Sequence, residues 1–284
     1  MGAKFRYLMV MSLCFIASSC GNQLPPDANH QAATTNASQP AAIEVPTDES
    51  LPLEKYHEMG MPACDQIWTG EQMAQAASVL TTLFQFNPKE LPRFESDRSG
   101  ELFARLVAAE NLGFLDDQSI PVNDRMPRAM LYMESSNRIF KMYVLAFMQR
   151  AGGGAEVVEW TGAILRLFTA VNRLVDEFVP TLDQDDPSYP VRMKGLERLR
   201  NATATTIDGA LQTLTESHAY HSSDLKTLAV YLEDALPEAL LRIPEQRQLA
   251  IMNRLQALSN DPAMQYLKME LDSLVKCAHE TLSE

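Results

Sequence analysis

Ala155-Glu-Val-Val-Glu-Trp160-Thr-Gly-Ala-Ile-Leu165-Arg-Leu-Phe-Thr-Ala170-Val-Asn-Arg-Leu-Val175-Asp-Glu-Phe-Val179 is the stretch that decides the fold. Its apolar residues recur at 157, 160, 164, 168, 171, 175 and 178. A strand would place them at every second residue, whereas steps of three and four put them on one side of an α-helix. Val158, Leu165, Leu167 and Leu174 widen that stripe beyond what a surface helix carries, so the helix is expected inside the core. Gly152-Gly153-Gly154 precedes it, a natural stop for the apolar run Ile139 to Met148. The two segments, about 128–150 and 155–179, are read as a central long hairpin.

Outward from the hairpin the pattern stays helical. Thr69-Gly-Glu-Gln72 has capping-box spacing and opens a helix ending near Phe86. Pro88 and Pro92 punctuate a loop, and Ser99 caps a second helix with Leu102, Phe103, Leu106 and Val107, ending near Gly113. A loop through Pro121 and Pro127 leads into the hairpin. Beyond the acidic loop Asp183-Gln-Asp185-Asp186-Pro187, helices are expected over about 188–217 and from Ser222-Ser223 to Leu236, where Pro237 breaks or kinks the chain. Another runs from Pro244 to about Ser259. The last opens at Asp261-Pro262 and carries Met264, Leu267, Leu271, Leu274, Ala278 and Leu282 on one stripe. No alternating run competes as a strand, and no solenoid period is present. The expected fold is all-α, a multi-helix bundle of about seven to eight helices forming a single domain over 56–284.

The N-terminus has a different character. Lys4 and Arg6 precede the apolar run Tyr7 to Ile16, and Ala17-Ser18-Ser19 leads into Cys20-Gly21-Asn22. A basic start, a short apolar core and small residues make a secretory signal, too short to span a bilayer. Small residues running into cysteine resemble the lipobox of bacterial lipoproteins, with Ala17 where leucine is commonest. The resemblance implies a signal peptide 1–19, removed, and a lipidated Cys20 whose acyl chains bind the membrane. Asn22, in place of the Asp that retains such proteins at the inner membrane, implies the outer membrane, facing the periplasm. Residues 20–55, rich in Pro, Ala, Ser, Thr and Gln, read as a disordered tether.

Cys64 and Cys277 remain past the signal and are expected to pair, since two cysteines in an exported domain most simply form one disulfide. Closing so long a loop contributes about 5 kcal/mol in the chain-entropy model. A metal or redox role is the alternative. His218 and His221 stand at i, i+3 with Glu216 nearby and are the weak metal candidates. Their neighbours Ser222, Ser223 and Asp224 suggest instead a solvated turn. Glu54 and His57 make one Glu-x-x-His where a di-iron bundle needs two. Met126, Met130 and Met133 have thioether spacing that suits Cu(I), but a methionine stripe at helical spacing is core. Asp183, Asp185 and Asp186 read as a solvated loop.

The formal charge is −13, and loss of Lys4 and Arg6 with an acid-free signal makes it −15, which opposes binding to nucleic acid. Arg138, Lys141, Arg150, Arg166 and Arg173 along the hairpin are expected to snorkel or pair. No catalytic arrangement is visible and no cofactor is expected. The leading expectation is a non-enzymatic cell-envelope lipoprotein that binds another envelope protein. A periplasmic small-molecule or metal-binding protein and an enzyme of an unrecognised helical class stand as alternatives.

Overall fold

A computed structural model describes residues 48–283. The signal segment, Cys20 and the tether up to residue 47 lie outside the described residues. Every regular element among the described residues is helical: α1 (Leu53–Glu58), α2 (Gly70–Phe86), α3 (Gly100–Val107), α4 (Gly113–Asp116), α5 (Val122–Met148), α6 (Gly154–Phe178), α7 (Tyr189–Thr213), α8 (Ser222–Leu240), α9 (Glu245–Asn260) and α10 (Lys268–Ser283). Short 3-10 turns join several of them. The long hairpin is α5 and α6. It lies within a row of packed neighbours, α2, α5, α6, α8 and α10, while α7 packs on α6 and α9 closes against α7 and α10.

The wide stripe of α6 has the expected consequence. Val157, Val158, Trp160, Ile164, Leu165, Leu167, Phe168, Val171, Leu174 and Val175 are all buried, so the helix is enclosed on most of its circumference. Two glycines let tyrosine rings lie on its backbone. A Cβ at Gly162 would stand 2.4 Å from Cδ2 of Tyr231, and one at Gly154 would stand 2.8 Å from Cδ1 of Tyr220.

Several boundaries differ from the sequence reading, each for a physical reason. α5 ends in a left-handed residue that is not glycine. Arg150 has φ 57°, with its N–H donating to Phe147 and that of Ala151 reaching back to Ala146 (2.8 Å), a Schellman-type closure. Gly152–Gly154 only complete the turn. α5 begins at Val122, with Pro127 inside it. The buried Arg125 secures that first turn. Its Nε donates to the Ile120 carbonyl (3.0 Å), Nη1 to Leu115 (2.5 Å) and Nη2 to Glu177 (2.6 Å).

α8 likewise runs through Pro237. Proline lacks the N–H that would bond the carbonyl four residues back, here that of Glu233. The Cys277 thiol on α10 reaches this carbonyl at 4.0 Å. The expected Cys64–Cys277 disulfide is therefore corrected: both cysteines are free. They sit in separate surroundings, Cys277 against α8 and Cys64 before α2, where its carbonyl accepts from Arg105 Nε (2.9 Å). Burial, with Glu101 adding to it, pushes the Cys64 thiol up to about 11, which keeps it protonated and inert.

Candidate functional site

The expected site residues are scattered. Cys20 lies outside the described residues. His218 is in the exposed turn after α7 and His221 is the exposed N-cap of α8, so they share no helix face. His57 Nδ1 lies 3.2 Å from the Met61 carbonyl. Met126 is buried, with Met130 and Met133 packed on the core beside it. Asp183 and Asp185 are exposed. Among the described residues no three His, Cys, Asp or Glu side chains gather in a way that could hold a metal ion, and no helix is long and apolar enough to cross a membrane.

The densest buried polar chemistry lies where three segments meet: the first described residues, the 87–99 loop and the hairpin turn. Ser50 is fully buried although the sequence reading gave it to the tether. Its hydroxyl accepts from Ser99 Oγ (2.9 Å) and donates to Asp48 Oδ1 (2.5 Å), and Ser96 Oγ donates to Asp48 Oδ2 (2.6 Å). Glu49 meets Lys89 at 2.7 Å. Tyr56 OH donates to the Glu90 carbonyl (2.6 Å) and accepts from Leu51 N–H (3.2 Å). Burial works against the Asp48 charge, but the hydrogen bonds from Ser50 and Ser96, with Arg98 nearby, hold its carboxyl below the usual value.

Ser99 also accepts from the Arg93 N–H (2.9 Å), so it does not cap α3 by side chain as expected. Arg93 is itself buried. Its Nη2 donates to the Ala151 carbonyl, and its Nη1 lies 3.7 Å from Glu156 Oε1, which also accepts from Phe94 N–H (3.2 Å). A Cβ at Gly153 would stand 2.6 Å from Glu156 Oε2, so the carboxylate lies directly over the backbone of the hairpin turn. The left-handed residues Glu95 and Arg150 flank the pair in sequence. Non-glycine residues hold such conformations where the surroundings over-determine them. The arrangement has acceptors and donors but no aligned nucleophile and base. It is suited to fastening the chain's entry segment and the hairpin turn onto one loop.

No family model, no curated protein and no solved structure matches this chain. A second polar feature lies between α3, α5 and α6. Trp160 and Arg166, whose Nε1 and Nε are unpartnered among the described residues, line a cavity of about 10 Å³ with Ser136, Tyr132 and Leu106. That is room for one water, far below the hundreds of Å³ of a ligand pocket.

Sequence reasoning missed the Asp48–Ser50–Ser99 chain and the Arg93–Glu156 pair. The only local sign was the excess of serine and charge in Glu95-Ser-Asp-Arg-Ser99, which also fits a solvated loop. Of the hairpin cations, Arg173 pairs with Asp116 and Glu238 (both 3.1 Å), while Arg166 lies over the Tyr231 ring, 5.2 Å from its centroid.

Proposed function

We propose that the protein is a cell-envelope lipoprotein, held to a membrane by acyl chains on Cys20, whose helical body serves without catalysis as a docking or scaffolding module for another envelope protein. The observation that carries the reading is the run Ala17-Ser18-Ser19-Cys20 behind a short basic and apolar leader. One feature of the body supports it. Residues 48–50 are fastened to the 87–99 loop by side-chain hydrogen bonds, which suits a chain that is pulled from its N-terminal side. Asn22 favours the outer membrane, with the body facing the periplasm.

The test is fractionation of cells producing the wild type and Cys20→Ser, with mass spectrometry of the N-terminal peptide. The expected result is an acylated peptide and a wild type in the membrane fraction, with the variant released and still folded. Equal membrane association of both proteins would overturn the anchor. Crosslinking in intact cells should recover a reproducible envelope partner, and its absence would overturn the scaffolding role.

A further inference from the structure

The acidic loop after α6 leads into a helix whose start is only lightly covered. From Asp176 to Arg198 no residue is fully buried, Leu196 is packed against the core, and the first buried position of α7 is Leu199. The exposed side of this start carries an ordered stripe. Val191, Lys194, Gly195 and Arg198 stand at i, i+3, i+4 and i+7, one face of the helix. Val191 is 74% exposed. Around a Cβ placed at Gly195 there is no atom within 4 Å, so the helix surface is low and open there.

The stripe has a direction. Asp183, Asp185 and Asp186 lie before the helix, Val191 near its start, and Lys194 and Arg198 beyond. At 1.5 Å per residue the two cations stand roughly 4.5 and 10 Å past Val191 along the axis. Asp186 is engaged with Arg192 at 3.6 Å. Among the described residues Asp183, Asp185, Lys194 and Arg198 have no ion-pair partner. Acid, apolar residue, base is the order that complements itself when turned through 180°.

We propose that this face of α7 is a self-association surface, and that its occupant is the same face of a second copy, related by a two-fold axis near Val191. Such a contact is isologous: the same patch serves on both sides, and each pairing occurs twice. Lys194 and Arg198 of one copy meet Asp183 and Asp185 of the other, the two Val191 side chains cover one another, and Gly195 lets the helices approach. A uniformly anionic partner, lipid headgroups included, fits less well, because the acidic loop that leads into the helix repels it. A chain of net charge −13 also gains little from approaching itself anywhere but at a cationic face.

The test uses the full chain carrying Cys20→Ser, so acyl chains contribute nothing and the outcome is independent of the lipoprotein reading. Sedimentation equilibrium at low salt should show a monomer–dimer equilibrium that weakens as salt is added. Lys194→Glu/Arg198→Glu and Asp183→Lys/Asp185→Lys should each weaken self-association at least about tenfold. Mixed in equal amounts, the two variants should form a heterodimer. All substitutions lie at exposed positions, and circular dichroism checks that helicity is retained. A wild type monomeric up to about 1 mM, variants that dimerise as the wild type does, or a mixture that stays monomeric would overturn the proposal. Capture of the monomer by phosphatidylglycerol vesicles without dimerisation would overturn it in favour of a lipid surface.

Discussion

The sharpest energetic test contrasts one substitution at two helical glycines. At Gly162 a Cβ would stand 2.4 Å from Cδ2 of Tyr231 and 2.7 Å from Cε2 and Cγ. The surrounding backbone of α6 is enclosed by packed side chains, so the ring must yield. That ring lies beneath the Arg166 guanidinium, and its hydroxyl donates to Glu159 at 2.7 Å. Forcing atoms into a packed site costs about 1–3 kcal/mol, and losing the cation–π contact costs about 0.5–1 kcal/mol. Alanine returns about 1 kcal/mol through helix propensity. Gly162→Ala should therefore destabilise by about 0.5–3 kcal/mol. At Gly195, also inside a helix, a Cβ meets nothing, so only the propensity acts and Gly195→Ala should stabilise by about 0.5–1 kcal/mol. For a body of this size the thermal midpoints should differ by roughly 2–16 °C. Thermal and urea unfolding of the two variants supply the measurement. In a Tyr231→Ala background Gly162→Ala should lose its penalty. A Gly162→Ala protein as stable as the wild type would refute the close approach.

Arg93→Met should cost about 3–5 kcal/mol, because it leaves the Glu156 carboxylate buried without its cation. Arg93→Met/Glu156→Leu should recover most of that loss, as read from urea midpoints across the four-protein cycle. Asp48 contributes stability that is present above the ordinary carboxylate value and lost as pH falls through its depressed value. Hydrogen exchange of the 48–58 peptide should thus be slower in the wild type than in Asp48→Asn near neutrality, and the difference should vanish in acid. Asp176 binds Arg200 (3.0 Å) and Arg242 (2.7 Å) at a solvent-facing position. Asp176→Asn should cost no more than about 1 kcal/mol at low salt and nothing measurable at 1 M.

What could be read from the sequence was what is encoded locally. The three-four spacing of α6 gave its burial, and Thr69 with Gln72 forms both bonds of the capping box (3.4 and 2.9 Å). Where a distant residue decides, local reading failed. Pro237 resembles a stop until Cys277 on α10 is known to attend the carbonyl it frees. Pro127 resembles a loop until Arg125 finds two carbonyls and Glu177. Ser50 sits in a polar, Pro-rich setting, and only Ser99, far along the chain, buries it. The thin covering at the start of α7 was hidden for the opposite reason. Met193, Leu196 and Leu199 continue the apolar period, and nothing in that period shows that full burial begins only at Leu199.

The fastening of residues 48–56 has a mechanical consequence. Load arriving from the N-terminal side enters a segment, irregular to Pro52 and helical beyond, whose bonds to the loop come in series: Asp48 to Ser96, Glu49 to Lys89, Ser50 to Ser99, Tyr56 to Glu90. Bonds in series open one after another, as in peeling, and each opening lengthens the chain before tension reaches α6. The polar residues 48–50 can thus give way as a shock absorber, sparing the apolar core until tension reaches the buried ring of Tyr56.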